Sequence, residues 1–282
     1  MRKTKHAFTL AEMLVAVAIL TLLILLVARL VNSVAAVTTW GSKRIDVSSE
    51  IRPLFNRMAV DFAQMIKRSD VSYYVKISSN PEAGNDLIAF FSLVDGFYPN
   101  TTIDAEVRQP QTTVISYRIN SKYQLERMAK SLPFAGQSSP TPTPSLVFGP
   151  MTGYTLWSQF PAATSSTSTD ADYNVVGADV FRFEYYYLLK TGAVSTSPWT
   201  SMTQVQMTDV AAIAVAIAVI DPRSRTLLSS GDITTLAESM NDYATPMATN
   251  GLLAQWQSVL DSSTLPRPAL AGIRLYQRIF PL

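Results

Sequence analysis

MRKTKHAFTLAEMLVAVAILTLLILLVARL, residues 1–30, is the stretch on which the reading of this chain turns. The cations Arg2, Lys3 and Lys5 precede a run from Met13 to Ala28 that carries no charge and has Thr21 as its one polar residue. Thirteen residues between Phe8 and Ala28 are Leu, Ile, Val or Phe. At roughly −0.3 to −0.6 kcal/mol each on a membrane-insertion scale, they supply about −4 to −8 kcal/mol. A carboxylate at the centre of such a helix costs roughly +3 kcal/mol, and Glu12 lies nearer the end, so insertion wins. The basic leader is expected to stay in the cytoplasm, with everything after about Leu30 exported.

The segment admits three fates. A signal peptide would be cut at the small residues Ser33-Val34-Ala35, although Glu12 interrupts its apolar region and Arg29 stands before that cut. An uncleaved single-span anchor is also possible on length, because Phe8 to Val31 is long enough to cross a bilayer. The third fate comes from resemblance. Lys5-His6-Ala7-Phe8-Thr9-Leu10-Ala11-Glu12 resembles the processing and methylation motif of type IV prepilins and type II secretion pseudopilins. In that family a prepilin peptidase cuts before the Phe, the new amino terminus is N-methylated, and a Glu stands fifth after the cut. Phe8, Thr9, Leu10 and Glu12 match, whereas Ala7 stands where Gly is usual.

The resemblance implies cleavage between Ala7 and Phe8, methylation of Phe8, and an assembly role for Glu12 with Thr9 and Leu10 beside it. It also implies the partner of Glu12: the positive amino group of Phe8, its own or a neighbouring subunit's. Opposite charges a few ångströms apart attract far more strongly in low dielectric than in water. Read locally, Thr9-x-x-Glu12 also fits a capping box at a helix start. In a membrane segment, however, a carboxylate is a functional candidate by default. The two readings are compatible.

Composition narrows the chemistry. The 282-residue chain has 23 Lys and Arg against 21 Asp and Glu, and loss of the leader with Arg2, Lys3 and Lys5 leaves 20 against 21. No basic patch marks a nucleic-acid partner. The chain has no cysteine, and its one histidine, His6, lies in the leader. Zinc sites on those ligands, Ser-His or Cys-His nucleophile pairs and imidazole acid–base steps are then unavailable to the processed chain. The sequence is therefore read as non-catalytic, with no cofactor and no metal.

Beyond the apolar segment, residues 32–70 read as an amphipathic helical extension. Gly41-Ser42 points to a bend or break, and Pro53 to the first turn of a fresh helix. Ile51, Leu54, Phe55, Met58, Phe62, Met65 and Ile66 repeat at helical spacing and form a face for packing a sheet. Residues 71–282 read as an exported β-rich domain. Strands are expected over Val71–Ile77, Leu87–Val94, Val114–Ile119, Tyr123–Met128, Val180–Leu189, Val210–Ile220 and Ile273–Phe280. Asn120-Ser121-Lys122 is short enough for a hairpin loop, and the Val210–Ile220 run is too short for a second membrane helix. Residues 135–145 and 161–172 are Pro- or Ser/Thr-rich loops, whose Ser/Thr tracts are open to O-glycosylation. A helical insertion in two pieces, broken near Pro246, is expected over about 233–260.

Parts of this domain carry a second resemblance. Arg57-Met58-Ala59-Val60-Asp61-Phe62, the Phe-Arg-Phe-Glu-Tyr strand, Trp199 and the Val210–Asp221 run are similar in order to the minor pseudopilin J of type II secretion. Asp221-Pro222-Arg223-Ser224-Arg225 and Ile273-Arg274-Leu275-Tyr276-Gln277-Arg278 resemble a pilin-like cassette family of Verrucomicrobia, the Verru_Chthon cassette protein C group. Two other features are read as plain structure. Asn80, Glu82, Asn85 and Asp86 suit calcium by ligand type, but their spacing matches no ligand loop, so a solvated polar turn is expected. Tyr185, Tyr186 and Tyr187 offer surface for a glycan, but aromatics on a strand usually pack across strands.

The expected fold is α+β: a long N-terminal helix, membrane-embedded at first, whose distal half carries a mostly antiparallel sheet. The implied partners are a prepilin peptidase, other pilin or pseudopilin subunits through helix packing, and the inner membrane before assembly. The exported domain then lies in a periplasmic or cell-surface filament. The rival from another class is an exported binding module or hydrolase that uses the helix only as a tether.

Overall fold

A computed structural model of the chain describes residues 10–67, 84–96, 112–132, 173–196, 209–244 and 251–282, with backbone alone at 10–12, 16, 18, 28, 30–50, 112 and 130–132. The chain divides into two compact units, Met1–Ser49 and Glu50–Leu282. In the first, the described residues belong to one helix, α1, which spans Leu10–Ala63 and continues into the second. The helix has no break at Gly41-Ser42, and Pro53 lies inside it, correcting the expected break and fresh start. Proline at 53 lacks the N–H that would bond the carbonyl of residue 49, and its ring crowds that carbonyl. The boundary between the units falls at that same residue, Ser49.

The second unit is built on two four-stranded antiparallel sheets. The first has the order β1-β2-β3-β4, with β1 Ile88–Ser92, β2 Thr112–Ile119, β3 Leu125–Leu132 and β4 Tyr173–Gly177. The second has the order β6-β5-β7-β8, with β5 Val180–Leu189, β6 Val194–Ser195, β7 Val210–Ile220 and β8 Ile273–Pro281. Among the described residues four helices follow β7: α2 Pro222–Arg225, α3 Ser230–Ser239, α4 Gly251–Ser262 and α5 Arg267–Leu270. The expected bounds of β5 and β7 match, and the helical insertion appears as α3 and α4. The expected strand Val71–Ile77, the loops at 135–145 and 161–172, Trp199 and Pro246 lie outside the described residues.

The apolar face of α1 packs as its spacing predicts. Ile51, Leu54, Phe55, Met58 and Phe62 are buried, while the expected Met65 and Ile66 fall past the helix end, Met65 buried in a bridge to Ser92 and Ile66 half-buried. Phe62 joins the two sheets: its ring centroid lies 5.1 Å from Phe90 of β1 and 5.2 Å from Phe280 of β8. β7 is an alternation of Ala with Val and Ile, buried along both faces except at Ala211. That burial explains why the run is apolar throughout instead of alternating with polar residues.

Local polar groups finish the frame. The β2–β3 loop starts at Asn120 as expected but runs two residues further, since β3 begins at Leu125 instead of Tyr123. The pair Asn120–Gln124 closes it, the Gln124 N–H donates to the Asn120 side chain, and Tyr123 takes the left-handed conformation at φ 53. Asn85 and Asp86 are buried rather than forming a solvated turn. The Asn85 side chain accepts from the Phe183 N–H and donates to the Phe181 carbonyl. Asp86 accepts from the Tyr185 N–H at 3.1 Å, so the two residues satisfy the edge of β5 that β7 does not cover. Among the described residues no group of three or more acidic or histidine side chains is placed to hold a metal. Tyr185, Tyr186 and Tyr187 are all buried in cross-strand packing, which leaves no open ring face for a glycan.

Candidate functional site

The N-terminal part of α1 has an unusual surface. Every described side chain from Met13 to Val27 is exposed, and all of them but Thr21 are apolar, with Leu14 at 65% and Leu25 at 63%. Leu22 to Val27 are six consecutive residues, and at about 100° per residue they point in every direction around the helix. A helix apolar on all sides is at rest only where lipid or other helices surround it. Thr21 is no obstacle, because its hydroxyl donates to the Val17 carbonyl one turn earlier. Among the described residues no helix is long and apolar enough to cross a membrane; the expected span Phe8–Val31 includes residues outside that description.

Of the residues singled out for processing and assembly, the structure describes little. Leu10 is the first residue of α1. Ala7, Phe8 and Thr9 lie outside the described residues, and the side chains of Leu10 and Glu12 do as well.

At the other end of α1 stands a group that sequence reading missed. Asp61 is fully buried, on the helix side that faces the first sheet. Arg127 of β3 grips it with both arms of its guanidinium, Nε to Oδ2 at 2.6 Å and Nη2 to Oδ1 at 2.9 Å. Tyr117 of β2 donates its hydroxyl to Oδ2 at 2.5 Å. Ser92 of β1 donates to the Asp61 backbone carbonyl at 3.2 Å, and Arg57, one turn earlier and half exposed, adds a contact at 3.5 Å. Three strands thus meet α1 at this one residue, two of them at its carboxylate and β1 at its backbone carbonyl. Burial first, then the Asp61 charge and hydrogen bond, push the Tyr117 phenol well above its ordinary range. For Arg127, burial disfavours the cation, but the hydrogen bonds and charge of Asp61 outweigh it and the net direction is upward. Both partners therefore hold their protons, and the bidentate charge-assisted pair is the strong kind. The available signal was a carboxylate three residues after Met58 and beside Phe62, on an otherwise apolar stripe.

A second buried cluster holds the helical insertion to the second sheet. Arg182 of β5 donates to the Met240 carbonyl at 3.0 Å and to Asp242 at 2.6 Å, and Glu184 accepts from the Tyr243 N–H. Tyr243 stacks on Tyr186 at 4.4 Å. At the end of β7, Asp221 accepts from the Arg223 and Ser224 N–H groups, capping α2. Arg225 then donates to the carbonyls of Lys122, Tyr123 and Ala178, tying two turns together. Both clusters are internal frameworks, spent on backbone groups.

Comparison with known proteins bears on the N-terminal segment. Residues 2–28 match the family model described as the prokaryotic N-terminal methylation motif. Among solved structures the chain is similar to a type IV-like pilin from Thermus thermophilus, with 12% identity over 83% of this chain and 94% of that one, at a TM-score of 0.31. No curated protein sequence matches the chain.

Proposed function

We propose that this chain, which carries a prepilin-type N-terminal methylation motif at residues 2–28, is a pilin-like structural subunit that assembles through α1. A prepilin peptidase removes residues 1–7 by cutting between Ala7 and Phe8, and Phe8 becomes the methylated amino terminus. Before assembly α1 holds the chain in the inner membrane as a single span, with the domain exported. Its apolar surface then exchanges lipid for neighbouring helices, so extraction does not expose it to water. Glu12 pairs with the Phe8 amine and sets axial register between subunits, with Thr9 and Leu10 completing the motif. The domain is non-catalytic, and its length and its likeness to pseudopilin J fit a minor subunit of a pilus or type II secretion-like filament.

The observation that carries this reading is the coincidence of the methylation motif with a helix apolar on every side from Met13 to Val27. A tether for an exported enzyme would need the helix but not the motif. Mass spectrometry of the native amino terminus tests it. A first residue of methylated Phe8 is expected. A chain that begins at Met1, or near Val37, would sink it.

A further inference from the structure

We propose that the second unit carries a charged docking surface for a second copy of this chain: the acidic helical insertion of one copy meets the arginine face of β8 and α1 in the next. Charge is sorted by segment over residues 226–282. Residues 226–266 hold four acids, Asp232, Glu238, Asp242 and Asp261, and no Lys, Arg or His, whereas residues 267–282 hold three arginines and no acid. The second sheet puts these segments on opposite faces. Arg182, Ala218 and Leu275 stand in one row across β5, β7 and β8, and Glu184, Ala216 and Gln277 in another. That face takes the insertion, through Arg182 to Met240 and Asp242 and through Glu184 to the Tyr243 N–H. The alternate residues of β8 point to the other face, where Phe280 packs on Phe55 and Phe62 of α1.

Neither set of charges is spent inside its own copy. Glu238 and Asp261 are exposed. Asp242 answers Arg182, but Glu184 does so too, which leaves that cluster with one negative charge in excess. On the other face, half-buried Arg278 donates to the neutral amide of Asn56 at 3.0 Å and lies over the Phe280 ring. Arg274 donates to the Ala271 and Ile273 carbonyls at 2.8 and 2.7 Å, and Arg52, one turn before Asn56, is exposed. Such partners orient a guanidinium without cancelling its charge. Opposite faces of one sheet do not meet within a copy. They meet between copies, in a heterologous contact that passes from each copy to the next. Complementarity of this kind selects partner and orientation more than it adds affinity, so the contact is weak and salt-dependent. It goes beyond the assembly reading above, which joins subunits through α1, and neither depends on the other.

Sedimentation of the full chain in non-ionic detergent tests the contact. At about 0.01 M salt, where charges act over about 30 Å, the parent is expected to associate reversibly as its concentration rises. At about 1 M, where they act over about 3 Å, it is expected to be monomeric. The variants E238K/D261K and R274E/R278E are each expected to associate about ten-fold more weakly at the low salt. The quadruple variant exchanges two acids for cations and two arginines for acids, so net charge is unchanged and complementarity returns. It is expected to regain the association. A parent that stays monomeric at the low salt overturns the contact. Association that ignores salt and both pairs of substitutions does the same, and assigns self-association to α1. A folded quadruple variant as weak as the doubles overturns it too, because the loss would then not come from complementarity. If R274E/R278E or the quadruple variant does not fold, E238K/D261K, altered at exposed positions alone, decides. Processing plays no part in this measurement, so the N-terminal mass and the sedimentation result can each fail without the other.

Discussion

A carboxylate needs a cation or several donors within reach once water is withdrawn from it, and α1 carries two positions where that need arises. Inside the domain, Asp61 meets it with Arg127 at 2.6 Å and Tyr117 at 2.5 Å. Removing the carboxylate leaves Arg127, mostly withdrawn from water, without its anion, so Asp61→Ala is expected to cost about 3 kcal/mol, the low end for a broken buried pair. Denaturant unfolding of the variant measures this, and a loss near zero would show that water or another acid takes the place of Asp61. In the proposed assembly, Glu12 at the other end of α1 gains its partner only after processing, when the Phe8 amine is freed. Glu12→Ala and Glu12→Val are therefore expected to be inserted and clipped normally but to enter filaments poorly. Comparing the clipped pool with the filament fraction by immunoblot checks this, and ordinary incorporation would remove Glu12 from assembly.

At the scale of elements, close approach and burial decide what each segment tolerates. A Cβ placed on Gly272 would meet Asp221 Oδ2 and Ser224 Oγ at 2.0 Å, the pair that caps α2. Gly272→Ala is therefore expected to displace the cap and lose roughly 1–3 kcal/mol, as overpacking does, read as a lowered melting temperature. The face of β5 toward the insertion titrates in the alkaline range. Burial, then the nearby Tyr243, push the Tyr186 phenol up to about 12, against an opposing hydrogen bond from Gln277. The folded state holds that proton more tightly than the unfolded chain, so this stabilisation is complete below about pH 10 and fades as pH rises from there toward 12. Tyr186→Phe removes the group, and its stability should fall less steeply across that window; equal slopes would dismiss the linkage. Legibility followed the same forces. β5 and β7 were readable because Val180–Leu189 and Val210–Ile220 are long, β-branched or aromatic, and bounded by turn formers. The Tyr173–Gly177 strand was not, because pairing with the distant β3 holds it, and the two-residue β6 and the four-residue α2 and α5 are too short to show a period. Asn85 and Asp86 looked solvated because their partners, the β5 backbone groups at Phe181, Phe183 and Tyr185, lie far along the chain. The motif at the amino terminus was legible for the opposite reason, since its meaning is local.

At the scale of the whole molecule, the two units ask for different surroundings. Met13 to Val27 present apolar side chains on every side, whereas the domain encloses its own core, whose described members begin at Ile51. The boundary at Ser49–Glu50 coincides with the carbonyl that Pro53 leaves without its helical donor. Each part of the core is supplied from within Glu50–Leu282: α1 from Ile51 to Phe62, Met65 just past its end, both sheets and the helices after β7. A fragment spanning residues 50–282 is therefore expected to be water-soluble, to unfold cooperatively, and to melt within about 2–4 °C of the full chain in detergent, the shift that roughly 1 kcal/mol produces in a domain of this size. Circular dichroism and calorimetry of the fragment provide the measurement. Aggregation or a broad, non-cooperative melt would mean that residues before Glu50 complete the fold. The apolar helix could not then leave lipid for a filament while the domain stays unchanged, which is the separation of tasks that the assembly reading requires.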